Sequence, residues 1–361
     1  MSVEIKVGVV PAGALGSAFA KIAADMGHQV TLYFNRPESL ETFKATHRSD
    51  RLEGIDLPRS IHGTCDIQEV VKGARVLFLA PPSVRFREVF QNLKTSLRGD
   101  CDVLIGTKGL EEGTNLTMSQ IVLQERPNHI DHVAVMSGPN IANQMALRKE
   151  TGTVIASYQA GTAKRLQALF NTNYFRVYTE EDVIALETAG ALKNIMAFGV
   201  GIVNVLDVSQ NTKALYFARA LAEMAMIGKV LGAQDERPFM GLSGAGDFFL
   251  SCIGQGTRNT RAGEAFARGR SLKELETSKD LVESLYTVKV AADIVRKHNL
   301  NAPITLAING MVHEGWDKSV CIQQLMDRKP EKEQLRDKDL GFYLARLGTR
   351  LLHNIGIGRT L

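Results

Sequence analysis

The sequence predicts an α/β protein: a parallel sheet covered on both faces by helices, followed by an all-α second domain. Three observations predict it. Buried β-type runs alternate with helical segments from residue 3 to about residue 180. A glycine-bearing turn joins the first strand to the first helix in "VGVVPAGALGSAFA", residues 7–20. Beyond about residue 181 long segments with helical periodicity follow, and no convincing strand does.

The elements read as follows. "VEIKVGVV" is a first strand, and "GALGSAFAKIAADMG" places apolar residues at helical spacing until Gly27 closes the helix. "HQVTLYF" is a second strand. "RVLFLA", "DVLIGT" and "HVAVMS" are buried strands, separated by helical segments at 84–95 and 114–125. "TGTVIASY" and "YFRVYTE" read as further strands extending the sheet. "EDVIALETAGALKNIMAFGVGIVNVL", "NTKALYFARALAEMAMIGKVLG" and "VESLYTVKVAADIVRKHN" are helical. The pattern changes near 180–190, which divides the chain into residues 1–184 and 185–361. The stretch 334–361, charged and then apolar, fits either a docked helix or a loose tail.

At 361 residues the chain is long enough for two full cores, and its 44% hydrophobic and 23% charged residues are those of a soluble globular protein. The net charge of +4 comes from 43 basic residues spread along the chain, which favours anionic small molecules as partners over nucleic acid. The few aromatics are not interleaved with Arg or Lys, so no base-stacking platform is expected. The start lacks a basic segment followed by a long apolar one. "ALKNIMAFGVGIVNVL" carries Lys193 and Asn194, so it reads as a buried helix and no membrane span is expected. Four cysteines lie far apart, with no C-x-x-C or H-E-x-x-H spacing, so neither a metal site nor a disulfide framework is expected, and the compartment is the cytoplasm.

The first turn is a modified dinucleotide fingerprint. Where G-x-G-x-x-G is usual, the chain has Pro11, Ala12, Gly13, Ala14, Leu15 and Gly16. Gly13 allows close approach of a pyrophosphate, and Gly16 allows helix and strand to pack. Proline fixes φ and removes one donor, yet leaves the helix N-terminus to face an anion. A plain strand–helix turn is the alternative; the alternating βα setting favours a site. After the second strand, Asn35 and Arg36 stand where an acid would select NAD. A guanidinium there suits a 2′-phosphate, so NADPH use at least equal to NADH use is expected. Otherwise Arg36 covers the adenine or is solvated.

In the second half, Lys193 has Ala189, Gly190 and Ala197 one turn away on the same helix face. An ammonium in such surroundings needs a partner or a role, and small neighbours leave room for a ligand. "GLSGAGDFFLSC" is tight-turn chemistry presenting one carboxylate, Asp247. "GTRNTRAGEAFARG" offers Thr257 as an N-cap, with Arg258 and Asn259 in a first helical turn suited to phosphate.

In this order the motifs "GALGSAFA", "GTKGLEEGT", "SGPNIA", "GALKNIMAFGVGI", "NTKAL", "GLSGAGDFFLSC", "TRNTRAGEAFARG", "VES", "APIT" and "LMDRKPEKE" make the chain resemble the NAD(P)-dependent glycerol-3-phosphate dehydrogenases of bacterial type, from residue 3 to about 333. The resemblance implies a Rossmann-type first domain and an all-α domain like the C-terminal domain of 6-phosphogluconate dehydrogenase, with the active site between them. It implies Lys193 as proton donor to the substrate carbonyl oxygen, Lys108 in the same site and Asp247 paired with the lysine. Arg258 and Asn259 would hold a substrate phosphate, with Asn194 and Ser251 in support. Pro81, Lys108, Ala142, Arg258 and Glu283 join the turn and Asn35–Arg36 as implied cofactor contacts. NADPH or NADH is the implied cofactor, and a homodimer the implied assembly.

The chain departs from the family pattern at Pro11 for glycine, Gln144 for glutamate, Ser284 for glycine and Ser251 for threonine. The altered residues lie mainly on the cofactor side; Lys108, Lys193, Asp247, Arg258 and Asn259 are intact. Three activities remain open: reduction of dihydroxyacetone phosphate, reduction of another small phosphorylated carbonyl compound, and non-catalytic dinucleotide binding. A sensor has no need of the intact lysines and Asp247.

Overall fold

A computed structural model describes residues 4–321, apart from 207, 254–255, 278–281 and 318–319. The expected tail at 334–361 lies outside the described residues. Strand β1 (Lys6–Val10) is followed by α1 (Ala14–Asp25), β2 (Gln29–Tyr33), α2 (Pro37–Thr46), β3 (His62–Thr64), α3 (Ile67–Val71) and β4 (Val76–Leu79). Then come α4 (Phe86–Leu93), β5 (Asp102–Ile105), α5 (Met118–Glu125), β6 (Val133–Ser137), α6 (Ala142–Ala146), β7 (Thr151–Ser157), α7 (Ala160–Phe170) and β8 (Phe175–Glu180).

The eight strands form one sheet in the order β3-β2-β1-β4-β5-β6-β7-β8. All neighbours are parallel except β6 and β7, which are antiparallel, with Val135 opposite Ala156. The parallel sheet read from the alternating runs holds from β3 to β6, and β7 and β8 extend it, entering antiparallel to β6. A buried apolar run records burial on two faces and not strand direction; α6 is short, and the chain re-enters the sheet from the same edge it left.

Side-chain alternation sends successive residues to opposite faces. Val7, Val9, Val76 and Phe78 join a core under α1 and α7, where Phe19 stacks on Phe78 at 4.0 Å and meets Phe170 at 4.8 Å. Val10, Leu77 and Leu79 join the other core with Phe86, Phe90 and Leu93 of α4. Gly27, at φ +83°, closes α1 in the left-handed conformation that glycine adopts without strain.

Among the described residues the second half is helical. It comprises α8 (Val183–Val205), α9 (Gln210–Val230), α10 (Arg237–Met240), α11 (Asp247–Cys252), α12 (Arg258–Ala267), α13 (Leu272–Glu276), α14 (Glu283–Lys297) and α15 (Pro303–His313). Helix α8 begins against the sheet, where Val183 and Leu186 complete the second core, and then runs on as the axis of the helical half. It is apolar and long enough to cross a membrane by composition, but 94% of that window is buried inside the fold. Glycines let its partners reach its backbone. A Cβ on Gly263 of α12 would stand 2.0 Å from the Phe198 carbonyl, and one on Gly201 2.0 Å from the Thr260 carbonyl. Two backbones therefore meet there with no side chain between them.

Candidate active site

Parallel strands bring their carboxyl ends to one edge, and the loops that follow β1, β2, β4, β5 and β6 gather there. The strand order reverses between β1 and β4, which opens a crevice of the kind that holds ligands in such sheets.

The turn after β1 fits a dinucleotide pyrophosphate. Helix α1 has Gly13 at its N-cap and no side-chain capping bond, so its first amides face the crevice with the helix dipole behind them. A Cβ on Gly13 would meet nothing within 4 Å. A Cβ on Gly16 would stand 2.0 Å from the Pro11 carbonyl, so helix and turn touch only because residue 16 is glycine. The Val10–Pro11 peptide is cis. Pro11 has no N–H, and the Ala12 amide donates to Tyr33 O at 2.6 Å. The donors left to the turn are those of Gly13, Ala14, Leu15 and Gly16.

Asn35 and Arg36 follow β2 and are exposed. Pro81 follows β4, is buried, and its carbonyl accepts the Thr107 hydroxyl at 2.6 Å. Ala142 opens α6 and packs on the first core. Glu283 opens α14 and accepts from the amide of Ser83 at 3.2 Å and from its hydroxyl, joining the helical half to the loop after β4. Burial pushes the Glu283 carboxyl up, while the Ser83 bonds oppose the shift.

Lys108, Lys193 and Asp247 converge. Lys108 Nζ donates to Asp247 Oδ2 at 2.6 Å and to Gly138 O at 2.9 Å. Lys193 Nζ lies 3.1 Å from the other oxygen, Oδ1. The Lys193 and Asp247 side chains are only 7% and 4% exposed, which makes each charge depend on its partners. Burial lowers the Lys193 pKa from its ordinary value; Asp247 opposes that, and the Lys108 and Arg258 charges add to it. Burial would raise Asp247, but the two ammoniums outweigh it and hold the carboxyl below its ordinary value.

Local structure explains these positions. The "GLSGAG" segment forms a π-type turn, Leu242–Gly246, that runs into α11 and delivers Asp247 at its first residue. Gly244 is required there, because a Cβ would stand 2.0 Å from the Phe239 carbonyl. Ser243 Oγ donates to Ser137 Oγ at 2.6 Å and pins the turn to the end of β6. The small residues beside Lys193 serve packing first: a Cβ on Gly190 would meet Ser137 Oγ at 2.5 Å and Lys108 Cδ at 3.6 Å. At Gly190 the space is taken by Ser137, with the Lys108 stem beyond it.

Helix α12 is capped by Thr257, whose side chain accepts from the Thr260 amide. Arg258 is its first residue and is exposed. Asn259 is buried, donates Nδ2 to Asn194 Oδ1 at 3.0 Å, and accepts the Ser284 amide at 3.2 Å. Ser251 Oγ donates to Asp247 O at 3.1 Å, inside its own helix. Ser83, Ser137 and Gly138 were not singled out from sequence as site residues. The last two fall inside "SGPNIA", yet a carbonyl and a hydroxyl carry no pattern of their own.

A reversing sheet with an uncapped helix over a glycine turn suits a dinucleotide, and buried Lys193 with part-buried Lys108 on one carboxylate suits a dehydrogenase. Comparison with known proteins is specific. Two family models match, described as the NAD-dependent glycerol-3-phosphate dehydrogenase N-terminus over residues 6–163 and C-terminus over residues 182–323. A Streptomyces griseus protein named glycerol-3-phosphate dehydrogenase (NAD(P)+) is 37% identical over 336 residues, covering 92% of this chain and 100% of its own. A Bacillus cytotoxicus protein of the same name is 36% identical over 337 residues, covering 92% and 98%. The crystal structure of glycerol-3-phosphate dehydrogenase from Coxiella burnetii superposes with a TM-score of 0.83 at 28% identity, covering 90% of this chain and 99% of its own. The chain belongs to the NAD-dependent glycerol-3-phosphate dehydrogenase family.

Proposed function

We propose that the chain reduces dihydroxyacetone phosphate to sn-glycerol 3-phosphate with NADPH or NADH, Lys193 giving the proton. The observation that carries this reading is the pair of lysines, one from each half, on the two oxygens of Asp247. The turn amides of residues 13–16, with Asn35, Arg36, Pro81, Ala142 and Glu283, would hold the dinucleotide. When bound, it supplies hydride to the carbonyl carbon.

The chain's own residues supply the rest. Lys193 donates from Nζ to the carbonyl oxygen as charge builds there. Asp247 keeps that ammonium charged and aimed, and after the transfer it retains Lys108 as counter-charge. Lys108, fixed by Gly138 O, adds positive charge beside the developing alkoxide. Arg258 and Asn259, at the N-terminus of α12, anchor the phosphate, and Asn194 orients the Asn259 amide. Ser251 supports the Asp247 turn. This reading divides the chain into residues 1–184, holding the dinucleotide, and 185–361, carrying the catalytic lysine. It takes the enzyme as a cytoplasmic homodimer, with Leu215, Phe249 and Ile253 exposed on the helical half as apolar contact area.

The test is oxidation of NADPH and of NADH by the purified protein with dihydroxyacetone phosphate. Turnover with at least one cofactor is expected. Tight cofactor binding without turnover would overturn the substrate assignment. Light scattering on the same sample checks the dimer.

A further inference from the structure

At the carboxyl end of β2 the choice between a ribose 2′-hydroxyl and a 2′-phosphate is made. In this chain the cation stationed there already has an anion. Arg36 Nη2 donates to Asp50 Oδ2 at 2.6 Å, and the Ser39 hydroxyl donates to the same oxygen at 3.1 Å. Asp50 is held in place by its neighbours. Ser49 is buried and accepts from Ser17 Oγ of α1 at 3.1 Å; Leu52 is fully buried in the first core. The loop is thereby fastened to the helix that opens on the pyrophosphate turn, and Asp50 reaches from it across to Arg36. Arg48, two residues back, is occupied by Asp56 at 2.6 Å. The Arg36 and Asp50 side chains are 56% and 38% exposed, so a ligand can reach both.

We propose that Asp50 is a specificity-determining residue that sets the cofactor preference by competing with a 2′-phosphate for Arg36. This rests on the reading that Arg36 meets the adenosine ribose. An exposed ion pair is weak enough to be displaced. The displaced carboxylate nevertheless stays within a few ångströms of the arriving phosphate, because the loop cannot carry it away, and like charges at that range repel. A 2′-hydroxyl meets no such penalty. Arg36 alone would favour NADP(H); Arg36 with Asp50 gives a site that takes both forms.

Equilibrium binding of NADP+ and NAD+, by titration calorimetry at low salt, tests this on wild type, D50N, R36A and the R36A/D50N double variant. D50N should tighten NADP+ roughly 5–20-fold and leave NAD+ within about twofold. The gain should shrink at high salt and vanish in the double variant. If D50N binds NADP+ as wild type does while R36A weakens it, the role of Asp50 is overturned and that of Arg36 stands. If R36A leaves the ratio of the two affinities unchanged, the ribose reading fails and the proposal with it. Equal tightening of both cofactors by D50N would also overturn it, as a general charge effect. Thermal midpoints within a few degrees of wild type, and the same comparison with D50A, separate these outcomes from misfolding.

Discussion

At the scale of single residues, the centre turns on Lys193 and the carboxylate it shares. Replacing it by alanine should cost roughly 10²–10⁴-fold in turnover, the usual worth of general acid help, measured as kcat with saturating cofactor. Its pH dependence follows from the direction of its shift. A proton donor works only while protonated, so ketone reduction should fall as pH rises through the Lys193 pKa, which burial places below that of a free lysine. Asp247 pulls the other way. Asp247→Asn should therefore move the alkaline limb of kcat/KM to lower pH, and an unmoved limb would exclude Asp247 as the tuning group. Arg258→Ala should raise the substrate KM with a smaller change in kcat, as expected for a remote anchor. Lys193 and Asp247 were legible in sequence because charged residues in small, apolar surroundings are conspicuous; Lys108 was legible only through the family resemblance. Asp50 was not: an exposed acid in a polar loop stands out only once folding brings Arg36 beside it. Gly190 was legible as a spacer, but what it makes room for depends on Ser137 and Lys108, which arrive from the sheet.

At the scale of elements, the crossing of α8 and α12 is made by backbone on backbone. Gly263→Ala should destabilise the protein by about 1–3 kcal/mol or more, since the added methyl can be accommodated only by moving a helix. Denaturant midpoints would measure it. Gly269→Ala, at the end of α12 where a Cβ meets nothing within 4 Å, is a poor control because its φ is +104°; Gly161→Ala, exposed in α7 with open space around its Cβ, adds a methyl without overpacking. The long elements were readable because each carries enough turns or alternations to show a period. Three-residue β3 and five-residue α3, α6 and α13 are too short to show one. They are fixed by what they pack against: β3 exists because Thr31, Leu32 and Tyr33 offer it a free edge.

At the scale of the whole molecule, sheet and helices are stitched by polar bonds as well as by the apolar face of α8. Asp247 takes Lys108 from the sheet side, Ser243 takes Ser137, and Glu283 takes Ser83. Buried Glu187 of α8 accepts from the Ser119 amide at 2.9 Å and from its hydroxyl at the start of α5. Glu187→Ala should lower stability by about 1–3 kcal/mol, because it strands the Ser119 amide away from water while the hydroxyl keeps Tyr158; a thermal melt checks it. The two-part architecture was legible from the change of period near residue 181. The antiparallel turn of β7 was not, since it depends on chain direction, nor were the serine stitches, which join residues 68 to 200 positions apart. The meeting of α8 and α12 also works as a ruler. Lys193 rides on one helix and the Arg258–Asn259 anchor on the other, and Asn194 is bonded to Asn259 near the same crossing. On the proposed reading, the main chains that carry proton donor and phosphate anchor are held at a fixed spacing, leaving only side-chain reach to adjust it. A ketone lengthened by a single methylene toward its phosphate should find either end of the site, never both at once.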